Sequence, residues 1–200
     1  MNKFRSTVLF TALLGAAFTV AVPTPLSAQT PAPRPRASPH ETISVVLGER
    51  ATGNRITLVY GRPYSKSPKT GEVRKIWGGL IPWDKADRLG ADEATLLITQ
   101  KPLALGDAGT VIPAGAYTLY LIPSETGPSK LAFSKAIGKW GVPVDETQDV
   151  ARVELKKSPL DQPIDQLTLA VEKGPAGTES GTLKIMWETT QFALPIDSAK

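Results

Sequence analysis

From residue 42 onward the chain alternates apolar and polar positions with a period of two. Ile56, Leu58 and Tyr60 are interleaved with Arg55 and Thr57; Ala151, Val153 and Leu155 with Arg152 and Glu154. Leu167, Leu169 and Val171 repeat the pattern, as do Leu183, Ile185 and Trp187, and Phe192, Leu194 and Ile196 complete it. Successive side chains of a strand point to opposite faces, so this alternation predicts strands with one buried face and one wet face. Gly53-Asn54, Gly106-Asp107, Pro113-Ala114-Gly115, Gly127-Pro128 and the run "KGPAGTESG" separate the apolar runs and read as turns. No long segment has helical period. The pattern predicts an all-β fold of about nine or ten short strands, a single-domain antiparallel sandwich or jelly-roll-like domain over residues 41–197. Trp187 is expected in the core with Glu188 facing the other side. Tyr117 and Tyr120, on opposite faces of one strand, are expected to divide between core and surface.

The N-terminal part has a different grammar. Lys3 and Arg5 precede the uncharged apolar run "VLFTALLGAAFTVAV" from Val8 to Val22, and Pro23, Pro25 and the small Ala28 follow. This order predicts a signal peptide over residues 1–28, cleaved after Ala28, and a periplasmic or secreted protein with no transmembrane anchor after cleavage. Residues 29–40, "QTPAPRPRASPH", read as a proline-rich tether, because repeated proline favours extended polyproline structure. Two of the 23 basic side chains leave with the signal peptide, and the remaining 21 face 19 acidic ones. The balance is nearly neutral and the basic residues are scattered, which argues against nucleic-acid binding. The chain has no cysteine, so its core holds by packing alone.

The least regular stretch, Pro63 to Asp92, is long for a loop, and it carries Trp77 and Trp83. Burial of both indoles is expected to order it at one end of the sandwich. The stretch leads into "DRLGADEATLLI", where Gly90 permits a turn and Leu96 and Ile98 are expected to enter the core.

Several segments in this part of the chain have a familiar order: "YGRPY" at 60–64, "IWGGLIPW" at 76–83, "RLGADEAT" at 88–95 and "IPAGAYTLYLIP" at 112–123. Together they resemble the bacterial domain-of-unknown-function family 2911, whose members are typically exported. The resemblance runs from about residue 38 to residue 196. Gly61 stands where that family usually has Ser, Trp77 where it has Phe, and Asp92 where it has Asn; Asp87 replaces an aromatic, and "SKSPKTGEV" lengthens the first loop. The resemblance implies a secreted β-rich domain and carries no activity with it.

Candidate chemistry is sparse. The only histidine, His40, falls in the tether, which leaves the domain without a histidine base, a Ser-His pair or a His/Cys zinc cluster. Asp92 and Glu93, as neighbours on a strand, are expected to diverge and so make a poor glycosidase pair. Asp84, Asp87, Asp92 and Glu93 lack the spacing of a calcium loop, and neither metal nor cofactor is expected. Arg62, Arg88 and Glu93 are the most promising group. They read either as a brace tying the long loop to the sheet or as a clamp for an anionic or polyhydroxylated ligand. Tyr64, Trp77 and Trp83 could add stacking surfaces. The reading that follows is a non-catalytic envelope module that binds a small polar or carbohydrate-like ligand, or an envelope protein, through Arg62, Arg88, Glu93, Tyr64, Trp77 and Trp83. The alternatives are a histidine-independent hydrolase built on carboxylates and arginines, and an assembly protein acting through a sheet edge.

Overall fold

The computed structural model describes residues 38–199; the expected signal peptide and most of the tether lie outside the described residues. The fold is all-β and antiparallel, a sandwich of two sheets and not a barrel. One sheet has seven strands. Its path runs β1 (His40–Leu47), β2 (Asn54–Gly61), β4 (Thr95–Thr99), β7 (Gly115–Ile122), β8 (Lys130–Ser134) and β9 (Asp149–Glu154), and the two-residue β3 (Asp87–Arg88) pairs with β7 off this path. The other sheet has four strands in the order β10 (Lys156–Lys173), β11 (Ser180–Ser198), β5 (Leu103–Leu105) and β6 (Thr110–Ile112). Among the described residues no helix is long and apolar enough to cross a membrane.

The two sheets enclose one core, and the alternating residues build it. Ile56, Leu58 and Tyr60 of β2 face Leu167 and Leu169 of β10 and Leu183, Ile185 and Trp187 of β11, all buried. Four of the five expected turns join neighbouring strands of one sheet, and the fifth, Pro113-Ala114-Gly115, carries the chain from β6 in one sheet to β7 in the other. The described residues form eleven strands, because β3, β5 and β6 are too short to show alternation. The interval 156–166, which has no clean pattern, belongs to β10. Pro159 and Pro163 are tolerated there because β10 is an edge strand, where a missing N–H breaks no ladder bond, and register shifts on either side of Ile164 absorb the irregularity.

Three local expectations are corrected. In β4 the core residue is Leu97, flanked by buried Thr95 and Thr99, while Leu96 is half-buried and Ile98 exposed. Three apolar residues in a row leave the parity open. The threonines settle it, because each finds a partner inside: Thr95 donates to the Leu89 carbonyl, and Thr99 to Asn54 Oδ1 at 3.1 Å and to the Lys101 carbonyl at 2.7 Å. Tyr117 and Tyr120 are both buried. β7 is a central strand whose outer face is covered by the 135–145 loop, and there the Tyr120 hydroxyl donates to Asp149. The third correction concerns His40. It is the first residue of β1, paired with Gly61, and so belongs to the sheet and not to the tether.

The long segment between β2 and β4 is anchored chiefly by buried Ile76, Ile81 and Leu89. Trp77 packs against the core from its edge. β3 and β4 lie end to end along β7, with Asp87 opposite Leu121 and Thr95 opposite Leu119, so the 89–94 turn is extruded between them. That turn forms one side of the candidate site.

Candidate functional site: a cavity at the end of the sandwich

A cavity of about 300 Å³ opens between the 89–92 turn and the 63–81 part of the long segment. Its apolar wall is Trp77, Leu121, Leu167 and Trp187, drawn from both sheets. Its polar lining includes Arg74, Arg88, Asp87 and Asp92, and Tyr64, Leu80 and Val142 stand at its rim.

The aromatic wall is a stack built from sequence-distant parts. Trp77 lies parallel to Trp83 at 6.5 Å between ring centroids, and edge-on to Trp187 at 6.4 Å and Phe192 at 5.2 Å. Offset and edge contacts of this kind contribute about 0.5–1.5 kcal/mol each beyond their buried area. Gly78 makes the stack possible: a Cβ there would lie 2.3 Å from Trp83 Nε1. The Lys157 ammonium sits 5.1 Å from the Trp83 ring centre. Trp83 therefore supports Trp77 from behind and does not line the cavity. Trp187 is held by its own N–H, which donates to the Asp165 carbonyl at 3.3 Å.

Arg88 has one end of its guanidinium fixed. Nη1 donates to the carbonyls of Asp92 at 2.9 Å and Trp140 at 3.3 Å, and the guanidinium carbon lies 5.9 Å from the Trp140 ring centre. Nε and Nη2 make no hydrogen bond among the described residues. The neighbouring Asp87 carboxyl is pushed above the usual carboxylate range, first by burial; the Arg88 N–H and the Arg88 charge oppose the rise. Arg74 is spent on backbone, donating to the Tyr64 and Ser65 carbonyls.

The brace expected among Arg62, Arg88 and Glu93 does not form as one network among the described residues. Arg62 instead staples the two sheets. Its Nε donates to the Leu167 carbonyl at 3.2 Å, Nη2 to Thr168 Oγ1 at 2.9 Å, and Nη1 lies 3.3 Å from Glu41 Oε2. Glu93 faces a separate open groove of about 350 Å³, together with His40, Lys139 and Trp140. Of the six residues singled out from sequence, Arg88, Tyr64 and Trp77 line the cavity, while Arg62, Trp83 and Glu93 do not.

His40 is the residue that sequence reasoning misplaced. Its Nε2 lies 3.2 Å from Asp92 Oδ2 and 3.4 Å from Glu93 Oε2. Two adjacent carboxylates converge on one imidazole because Asp92 is not extended: its φ is +63°, in the left-handed region that a non-glycine residue seldom adopts. This overturns both the divergence expected of Asp92 and Glu93 and the absence of histidine from the domain. The alternation pointed only to the strand that follows. Ile43, Val45 and Leu47 against Thr42 and Ser44 mark the strand, but Glu41 breaks the alternation one residue short of His40, so its start was hidden. Among the described residues no three His, Asp or Glu side chains are arranged to hold a metal ion.

Residues 38–196 match the family model described as "Protein of unknown function (DUF2911)", and the chain belongs to that family. Comparison with curated proteins gives no match, and neither does comparison with solved structures.

Proposed function

We propose that the protein is an exported, non-catalytic binding module of the cell envelope, and that its ligand is a small polar molecule with one flat apolar face, of which a sugar ring is the type. The observation that carries this reading is the cavity beside Trp77. It sets an aromatic and aliphatic wall against the Arg88 guanidinium, whose Nε and Nη2 make no hydrogen bond among the described residues, and the Asp87 carboxyl. Ligand sites are typically concave and mostly apolar, with a few convergent polar groups that fix orientation. The signal-peptide pattern over residues 1–28 and the proline-rich segment after it support placement in the envelope. Saturation-transfer NMR of the whole chain against a panel of neutral and amino sugars tests the proposal. Transfer to one class of ring supports it, and a panel silent at millimolar concentration rejects it.

A hydrolase remains as the second reading, and it now rests on His40. A carboxylate within hydrogen-bonding distance of an imidazole is how a general base is oriented, and this pair stands beside an open groove. Turnover of ester or glycoside probes that disappears in His40→Ala would favour it over the binding module.

A further inference from the structure

Arg88 enters the cavity wall with one side of its guanidinium fixed and the other unspent. Nη1 donates to the Asp92 carbonyl at 2.9 Å and to the Trp140 carbonyl at 3.3 Å, which come from two separate loops. Nε and Nη2 make no hydrogen bond among the described residues. These two nitrogens lie along one edge of the planar group, and their parallel N–H bonds are the pair that grips both oxygens of a carboxylate. Because Nη1 is already anchored, the side chain has little freedom left to lose when that edge is filled. Arg88 also borders a second void, of about 20 Å³, which has room for no more than a water molecule. The cavity of about 300 Å³ is the ligand-sized space that it borders.

The charges of the cavity favour the same occupant. Arg74 brings a second guanidinium, whose Nε and Nη2 donate to the Ser65 and Tyr64 carbonyls. Carbonyls leave both charges unneutralised. Neither arginine is in an ion pair among the described residues, whereas Arg62 pairs with Glu41 and Arg152 with Glu146. Two carboxyl residues share the lining. Asp92 places Oδ2 3.2 Å from His40 Nε2, and His40 belongs to the neighbouring groove. Asp87 remains, and burial shifts it toward the protonated form, which donates to an anion instead of repelling it.

We propose that the ligand of this cavity is an acidic ring, a single uronate being the type, whose carboxylate seats on the Nε–Nη2 edge of Arg88 while the ring lies against Trp77. Resting on the reading of the cavity as a ring-binding site, this narrows the ligand from polar rings in general to those with a carboxylate. The size agrees: about 300 Å³ is the lower end of ligand pockets and suits one ring better than a chain of them. A neutral ring keeps the contact with Trp77 and lacks the charged pair, so it binds more weakly.

The test compares methyl glucoside with methyl glucuronide, which differ only by a carboxylate in place of the hydroxymethyl group, and adds acetate as a carboxylate without a ring. The protein is the whole chain with isotope-labelled arginine. The glucuronide should bind about tenfold tighter than the glucoside, as one charge-assisted pair implies. Both the glucuronide and acetate should shift the Arg88 Nε–H resonance in a saturable way. Arg88→Gln should abolish the preference, and Arg88→Lys should abolish most of it, because an ammonium keeps the charge without the two parallel donors. Where the glutamine variant does not fold, the lysine variant and the Nε–H shift of the parent decide. Equal affinity for the two glycosides, or a preference that survives in Arg88→Gln, overturns the inference and leaves the ring-binding reading standing. A saturable acetate shift at Arg88 with both glycosides silent leaves the carboxylate seat standing and removes the ring. Silence from all three probes overturns both.

Discussion

His40 Nε2 lies 3.2 Å from Asp92 Oδ2 and so joins the first residue of β1 to the turn that precedes β4, 52 positions away. The approach depends on Gly61, the strand partner of His40. A Cβ at position 61 would stand 2.2 Å from the Ala91 carbonyl oxygen and 3.1 Å from His40 Nε2. The glycine is the space into which the turn closes, and the Ala91 N–H donates to the Gly61 carbonyl at 3.3 Å.

Gly61→Ala therefore forces backbone apart. The expected cost is about 1–3 kcal/mol, as for other overpacked sites, read as a lower urea midpoint. The His40 ring resonances should shift at the same time, because the 90–93 turn must move to relieve the contact. An unchanged midpoint with unchanged His40 resonances would show that the turn is not seated on β2 as described.

Arg62 should behave as a structural staple. Arg62→Ala removes the donors to the Leu167 carbonyl and to Thr168 Oγ1, which keeps only its own bond to the Gln166 carbonyl, and the expected loss is about 1.5–3 kcal/mol, the range for hydrogen bonds to charged groups. Arg62→Lys should recover little of it, because an ammonium cannot reproduce three contacts made by a planar fork. The check is equilibrium unfolding of both variants. Full stability in the lysine variant would reduce Arg62 to a point charge paired with Glu41.

Tyr60 sets an alkaline limit. Burial, and next its hydrogen bond to Glu41 at 2.7 Å, push the phenol up to about 12 from an ordinary value of 10.0. The folded state thus keeps a proton that the unfolded state has lost. The stabilising contribution is complete below pH 10 and declines as pH rises toward 12, by about 1.4 kcal/mol per pH unit. Tyr60→Phe should be less stable at neutral pH, since it gives up the bond to Glu41 and the one accepted from the Leu169 N–H at 2.9 Å, and should show a shallower decline above pH 10. Tyr120 is also pushed up, by burial and then by its bond to Asp149, and keeps part of the slope. Urea midpoints between pH 8 and 11.5 decide; equal slopes in the two proteins would remove Tyr60 as the titrating group.

The sandwich was legible in the sequence wherever a strand has one wet face. Trp187, Leu167 and Phe192 sit as their alternation implies, because parity alone decides which side such residues face. Legibility failed where that condition fails. β4 has apolar residues on both parities, β7 is covered on both faces, and β10 runs through two prolines that an edge strand tolerates. The site was half legible for a related reason. Tyr64, Trp77 and Arg88 stood out by type and lie at the cavity, but what assembles them is the extruded 89–94 turn, set by the positive φ of Gly90 and Asp92. No periodicity reports such a turn, and without it Asp92 and Glu93 could not be seen to meet His40.

The measurement that most directly tests the central claim is a titration of the isotope-labelled whole chain with the best ring-containing probe from the sugar panel, repeated on Tyr64→Ala. Tyr64 is a rim residue, 39% exposed, and its removal should leave the unfolding midpoint within about 0.5 kcal/mol of the parent. Amide shifts should be confined to the cavity, at Leu89–Asp92, Arg74 and Leu121, and affinity should fall about tenfold in the variant, equivalent to about 1.4 kcal/mol. Shifts centred instead on the groove of His40, Lys139 and Trp140, or affinity indifferent to Tyr64, would contradict it.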